Sequence, residues 1–360
     1  MASEGFAKLL KTIKAHSRDL TKAKAAMEST GCYHMNLFCF LVSEGLPCYV
    51  INPLLTANFA KLSLRKTKTD KKDAMLIAQF LLMHKDALAK AEPSHNLQDL
   101  KDLAREKESL TGLVAALKND IKRMLQITFP ELEKRCNVFS ETMRDFLKQF
   151  PSARLIRTAD IKAVQQALTQ YDGRKTAAFY AEDLIAEAQK SVASDSIAKE
   201  LIIPEKIATL EYLMERRDKI TKALVVACEA LMIEDIEIIT SIGGIGNTTA
   251  SAFLAEVGDF RLFSSHKHLI AFAGLDPSIH QSGKFEGKSR ISKRGNRHLR
   301  HLIYLMTSCV VRQDNQFKVY YKKRRAEWLP FKKAIMATAH KLLRVIFAML
   351  SSRTTYAARG

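Results

Sequence analysis

Between Leu97 and Leu125 the apolar residues recur at helical spacing: Leu97, Leu100, Leu103, Leu110, Leu113, Leu117, Ile121 and Leu125. No proline interrupts this stripe before Pro130. The spacing predicts one long amphipathic helix, of the kind that also builds coiled coils. A second helical pattern covers Pro204 to Met232, with Ile207, Leu210, Leu213, Ile220, Leu224 and Val225 apolar. Two long helices flanking an insert can pair as an antiparallel hairpin or serve an oligomer, and the sequence alone leaves both open. A chain of 360 residues exceeds one ordinary core. We therefore expect three regions: 1–92, a helical connector at 93–232, and a C-terminal domain at 233–360.

The first region reads as α/β. Residues Glu4 to Ala15 place Phe6, Leu9, Leu10 and Ile13 on one helical face. "KAKAAMESTG" reads as a short strand ending in a turn, Tyr33 to Glu44 as a helix, and "LPCYVINP" as a buried strand between prolines. Strand, helix and strand in that order predict a parallel pair. "DAMLIAQFLLMHK" is helical, with Thr69 as its N-cap and Asp70 and Asp73 in its first turn. The expected class is α/β plus mostly α.

The formal net charge is +19. A charge that large favours a polyanionic partner, nucleic acid or a membrane surface. No apolar run suggests a membrane span, and "MASEGFAKLLKTIKAH" lacks a signal-peptide plan. The reading is a cytoplasmic nucleic-acid binder. The six cysteines have no zinc-like or redox spacing and read as reduced thiols.

Three constellations bear on chemistry. Glu28 ends a predicted strand, and Asp70 and Asp73 share a helix face one turn apart. Carboxylates converging from a strand end and a helix start suit two Mg²⁺ ions that clamp a phosphodiester. Acids in a first turn also simply favour the helix dipole. "IITSIGGIGNTTASAFLAEV" has the pattern of a helix-hairpin-helix. Its Gly244 and Gly246 allow close approach to a phosphate, or merely a tight turn.

The third is "QSGKFEGKSRISKRGNRHLRHLI", Gln281 to Ile303. A Walker A reading fails, because Ser282 stands where the first glycine belongs. What remains is a glycine-rich cationic segment carrying Lys284, Lys288, Arg290, Lys293, Arg294, Arg297 and Arg300. Such a run is a phosphate-binding surface or a solvated face. Ser282 is by composition a turn residue, with His280 two residues upstream.

In order along the chain, "MESTG", "TDKKDA", "SIGGIG", "GLDPS", "QSGK" and "SKRGNRHLR" resemble the transposases of the insertion-sequence-110 (Piv-like) family. The resemblance covers essentially the whole chain. It implies a RuvC-like, RNase-H-type DEDD nuclease domain, a helical connector and a mainly helical transposase domain. It implies Mg²⁺-dependent DNA cleavage and strand exchange between donor and target DNA. It also implies a structured guide RNA, a homo-oligomer and a nucleoid-associated bacterial protein. Carried over by motif, three of the four acids fall on Glu28, Asp70 and Asp73, and the attacking serine on Ser282.

The family's first acid lies on a strand resembling "GIDVSK", upstream of the helix with which this chain begins. Asp19 lies in a polar loop and is a poor substitute. The resemblance therefore predicts a partial nuclease domain with one ligand fewer. It sets a non-catalytic DNA- or RNA-binding remnant beside the recombinase reading. A structure-selective junction nuclease is a third reading.

Overall fold

The structure is a computed structural model. It describes residues 3–17, 19–29, 34–51, 53–60, 69–85, 95–169, 181–278, 281–282, 285–286 and 290–357. The chain divides into two compact units, Met1–His95 and Asn96–Gly360.

In the first unit α1 (Ser3–His16) leads to β1 (Ala25–Glu28), α2 (Met35–Ser43) and β2 (Cys48–Ile51). The strands pair in parallel, with Ala25 opposite Cys48 and Glu28 opposite Ile51. Parallel neighbours need a crossover, and α2 supplies it. Phe38 and Leu41 of α2 are buried with Met27, Leu46 and Cys48. Next come α3 (Pro53–Ala60) and α4 (Asp70–His84). The start of α4 follows from its sequence. Thr69 is extended, and its hydroxyl accepts the Lys72 N–H at 3.4 Å. α4 packs on β1 and α3, burying Phe80 and Leu81. Phe80 meets Phe59 edge-on at 5.5 Å.

The second unit opens with α5 (His95–Thr128). An insert follows, built from α6 (Leu132–Arg135), α7 (Glu141–Gln149), α8 (Ala153–Arg157), α9 (Ile161–Thr169) and α10 (Ala181–Lys190). The chain then enters α11 (Ile197–Thr240). α11 breaks at Met232, whose φ of −144° and ψ of 39° are not helical; that is where the sequence pattern ends.

α5 and α11 run antiparallel. Asp120 pairs with Lys206 at 2.6 Å, while Lys107, earlier on α5, is held low in pKa by burial and by Arg217, later on α11. The two helices share two cores. Leu100 and Ala104 join Leu224 and Cys228 in one; Ile121 and Leu125 join Ile203 and Ile207 in the other, closed by the insert. The expected stripe is therefore divided, and Leu113 faces outward, half exposed.

The remainder is α12 (Asn247–Val257), a short 3-10 turn (Phe260–Leu262), α13 (His266–Phe272), β3 (Pro277–Ser278), β4 (Gln281–Ser282), β5 (Phe285–Glu286), β6 (Arg290–Ile291), α14 (Arg297–Val310), α15 (Gln316–Ala326) and α16 (Phe331–Ser352). α16 packs against α11, α13, α14 and α15. By length and composition it alone among the described helices could cross a membrane, which the expectation of no such run missed. Half of its apolar window is buried inside the unit, including Ile335, Ala339, Leu342 and Ile346. That burial explains the apolarity without a bilayer.

Candidate functional site

In the first unit, β1 ends on Glu28, half-buried. The buried Thr56 hydroxyl on α3 donates to Glu28 Oε1. α4 lies against β1, and its first turn carries Asp70, exposed, and Asp73, half-buried. The Asp73 N–H bonds the Thr69 carbonyl at 2.9 Å. Among the described residues, no three acidic, histidine or cysteine side chains gather closely enough to hold a metal ion. As they stand, Glu28, Asp70 and Asp73 do not form a cage for Mg²⁺. Of the lysines beside them, Lys71 and Lys72 are exposed, and Lys66 and Lys68 lie outside the described residues.

In the second unit the basic run forms a β-ribbon. β3 pairs antiparallel with β6, Ser278 opposite Arg290. β4 pairs antiparallel with β5, Ser282 opposite Phe285. Ser282 is thus a strand residue; two residues separate it from β5. His280, Lys284 and Lys288 lie outside the described residues, as do the side chains of Ser282 and Arg290.

The base of the ribbon is locked backbone to backbone. Gly274 has φ +65°, and a Cβ there would meet the Gly295 nitrogen at 2.5 Å. A Cβ on Gly295 would meet the Phe272 oxygen at 2.2 Å and the Gly274 nitrogen at 2.3 Å. Only two glycines can cross this closely. Hydrogen bonds stitch the crossing: Ser292 N–H to the Asp276 carbonyl (2.8 Å), Lys293 N–H to Gly274 (3.0 Å) and Asn296 N–H to Phe272 (2.7 Å). The Ser292 hydroxyl donates to Asp276 Oδ1 at 2.5 Å. From α16, His340 Nε2–H donates to the Leu275 carbonyl at 3.0 Å.

Asn296 connects this crossing to the core. Its Oδ1 caps α14, accepting from His298 N–H at 2.9 Å and Leu299 N–H at 3.1 Å. Its Nδ2 donates to Glu256 Oε2 at 2.6 Å. Glu256, on α12, is 1% exposed. It also accepts from Arg105 Nε at 2.8 Å and Nη2 at 3.3 Å, so α5 is tied in as well. The buried charge is met by a bidentate guanidinium, as burial requires. Burial, opposed by the Glu256 charge, holds the Lys101 pKa below its ordinary value.

The expected phosphate-binding cations separate into two kinds. Lys293, Arg294 and Arg297 are exposed. Arg300 is half-buried, with Nη1 donating to the Ala273 carbonyl at 3.0 Å, and so buttresses the crossing. The two hairpin glycines separate in the same way. Gly244 has φ +98°, and a Cβ there would press within 3.1 Å of the Cys309 oxygen and Val310 Cα on α14. Its freedom serves helix packing. Gly246 has open space beside it and begins α12 without a side-chain cap. The Asn247 amide touches Glu229 at 3.4 Å there.

Sequence reasoning did not single out Arg105, Glu256 or Asn296, nor pair Gly274 with Gly295. Glu256 had a signal: it is the one acid in the otherwise apolar or small run Ala250 to Val257.

Comparison with known proteins agrees with this layout. The family model described as "Transposase" matches residues 1–130, the stretch holding all three acids. The model described as "Transposase IS116/IS110/IS902 family" matches residues 236–322, the stretch holding the ribbon. The 43.6 kDa protein of insertion element IS110 from Streptomyces coelicolor is 24% identical over 82% of this chain and 73% of its own length. The 42 kDa protein of insertion element IS900 from Mycobacterium paratuberculosis is 28% identical over 89% and 80%. The pilin gene-inverting protein of Moraxella bovis is 25% identical over 99% and 88%. With both family models matched in order and such relatives aligned along most of its length, the chain belongs to the IS110 family of transposases.

Proposed function

We propose that this chain cuts and rejoins DNA strands to move an insertion sequence, with the Ser282 hydroxyl as the attacking group. The observation that carries this reading is the ribbon. Ser282 lies on β4, in the segment between β3 and β6, and the crossing at Gly274 and Gly295 locks the outer ends of β3 and β6. A locked base supports the narrow geometry that attack on a phosphodiester needs. Lys293, Arg294 and Arg297 add exposed charge close by in sequence. The Moraxella bovis relative is named for inverting a gene, an operation on DNA.

In the step proposed, a bond forms between Ser282 Oγ and phosphorus while one P–O bond of the strand breaks. The Ser282 hydroxyl gives up its proton in this attack, and the departing oxygen takes one, so the step is proton-neutral. The phosphoserine ester then passes its phosphate to the hydroxyl of a partner strand. Carboxylate oxygens are hard donors that suit Mg²⁺, and the proposal assigns Mg²⁺ to Glu28, Asp70 and Asp73 in a RuvC-like setting. The acids form no cage as they stand, so the DNA-bound arrangement must gather them. A structured guide RNA that selects donor and target, and coiled-coil assembly through the long helices, complete the reading.

The test is recombination of supercoiled donor and target DNA by the 360-residue chain, with the element's flanking RNA and Mg²⁺. Nicking, and joining with it, is expected to vanish both in Asp73→Ala and in Ser282→Ala. If Ser282→Ala joins strands at the parental rate, the nucleophile is another group. If Asp73→Ala nicks as the parent does, the acids do not serve cleavage.

A further inference from the structure

The corner between α15 and α16 carries the single tryptophan of the chain, Trp328. It is 94% exposed. Its φ is +61°, in the left-handed region where a bulky side chain is an outlier. The turn itself is well built. Trp328 N–H donates to the Arg325 carbonyl at 3.1 Å, and Leu329 N–H to the Arg324 carbonyl at 3.4 Å. This is a Schellman stop, and its left-handed position usually holds glycine. Tryptophan there strains the backbone and leaves a large apolar ring in water. Burial inside the unit compensates for neither, so the ring serves something outside it.

The surroundings select the partner. α15 ends in Lys322-Lys323-Arg324-Arg325, and α16 opens with Phe331-Lys332-Lys333. Arg324 pairs with Glu327 at 2.6 Å, and Arg325 donates to the Leu329 carbonyl at 2.6 Å. These two build the corner. Lys322, Lys323, Lys332 and Lys333 are exposed and take part in none of the ion pairs found among the described residues. A π-face flanked by free ammonium groups matches a nucleic-acid strand: bases stack on the ring and phosphates meet the lysines. In a duplex the base faces are hidden, so the matching ligand has unpaired bases.

We propose that the α15–α16 corner binds unpaired nucleic-acid bases, with Trp328 as the stacking platform and Lys322, Lys323, Lys332 and Lys333 as phosphate contacts. The proposal rests on the chain acting on nucleic acid, but it involves neither Ser282 nor the acids.

Because Trp328 is the sole tryptophan, its emission reports this site alone. The full chain is titrated in Mg²⁺-free buffer with single-stranded DNA, RNA of the same sequence, and the duplex. Either single strand is expected to quench emission, the stronger quencher identifying the ligand, and the duplex to quench far less. Trp328→Gly restores the residue the turn favours, so it folds at least as well as the parent. It is expected to weaken single-strand binding, read by anisotropy of a labelled strand, about tenfold or more. Unchanged emission with both single strands overturns the proposal, as does parental affinity in Trp328→Gly. A blue shift with anionic phosphatidylserine vesicles but no response to oligonucleotides also overturns it, in favour of a lipid surface. Quenching without any strand cleavage in Mg²⁺ counts against the recombinase reading alone; cleavage without quenching counts against this site alone.

Discussion

Replacing Gly295 with alanine tests the locked ribbon base directly. The new methyl would sit 2.2 Å from the Phe272 oxygen, 2.3 Å from the Gly274 nitrogen and 2.8 Å from the Ala271 oxygen. All three are backbone atoms, so no side chain can swing away. Ordinary contact requires a separation near 3.4 Å, so the strands must part by roughly 1 Å in a close-packed site. Two hydrogen bonds span that gap: Asn296 N–H to Phe272 and Lys293 N–H to Gly274. Each contributes about 1 kcal/mol net, and overpacking costs about 1–3 kcal/mol more. The expected loss is about 3–5 kcal/mol, a large part of the ~5–15 kcal/mol of a typical domain. Urea unfolding followed by circular dichroism measures it, and hydrogen exchange at the Asn296 amide locates it. Gly112→Ala on α5 is the control. It meets nothing within 4 Å and should stabilise its helix by about 0.5–1 kcal/mol. A loss under about 1 kcal/mol in Gly295→Ala, with the Asn296 amide protected as in the parent, refutes the locked crossing.

Gly246→Ser should add a side-chain cap to α12 and raise stability by a few tenths of a kcal/mol, ~0.3. It also occupies amide donors at the helix start, so DNA affinity should drop several-fold by anisotropy; unchanged affinity removes the α12 N-terminus from the DNA interface. His340 links stability to pH. Burial, foremost, holds its pKa below the ordinary 6.5. Above that value the ring is neutral in both states and contributes no slope. As pH falls below it, the unfolded chain takes up the proton first, so stability is lost until the folded ring titrates too. Urea midpoints between pH 7 and pH 5 should fall less in His340→Gln than in the parent, and equal falls would place the pH sensitivity elsewhere.

Local periodicity made much of the fold legible. A terminal turn marked β1, bounding prolines marked β2, and helical spacing marked α1, α4 and α5. Thr69 was readable as a cap because that bond is local. The register of the ribbon was not legible, because its strands are two residues each and carry no periodic signal. Leu113 shows the limit of a stripe: its spacing fits, but its neighbours Leu110 and Val114 take the buried face.

What the sequence by itself determined is the kind of chemistry on offer: acids at a strand end and a helix start, a serine amid cations, and a strong positive charge. These are properties of residue type and near neighbours. Tertiary structure decided which residues are free to use them. Arg300 and Gly244 look like their neighbours in sequence, yet one bonds the Ala273 carbonyl and the other presses on α14. Glu28 is held by Thr56, 28 positions away. Gly274 and Gly295 each look like a turn residue, and only their crossing reveals a clamp. Contacts between distant segments depend on how the cores pack, and no local pattern encodes that distance.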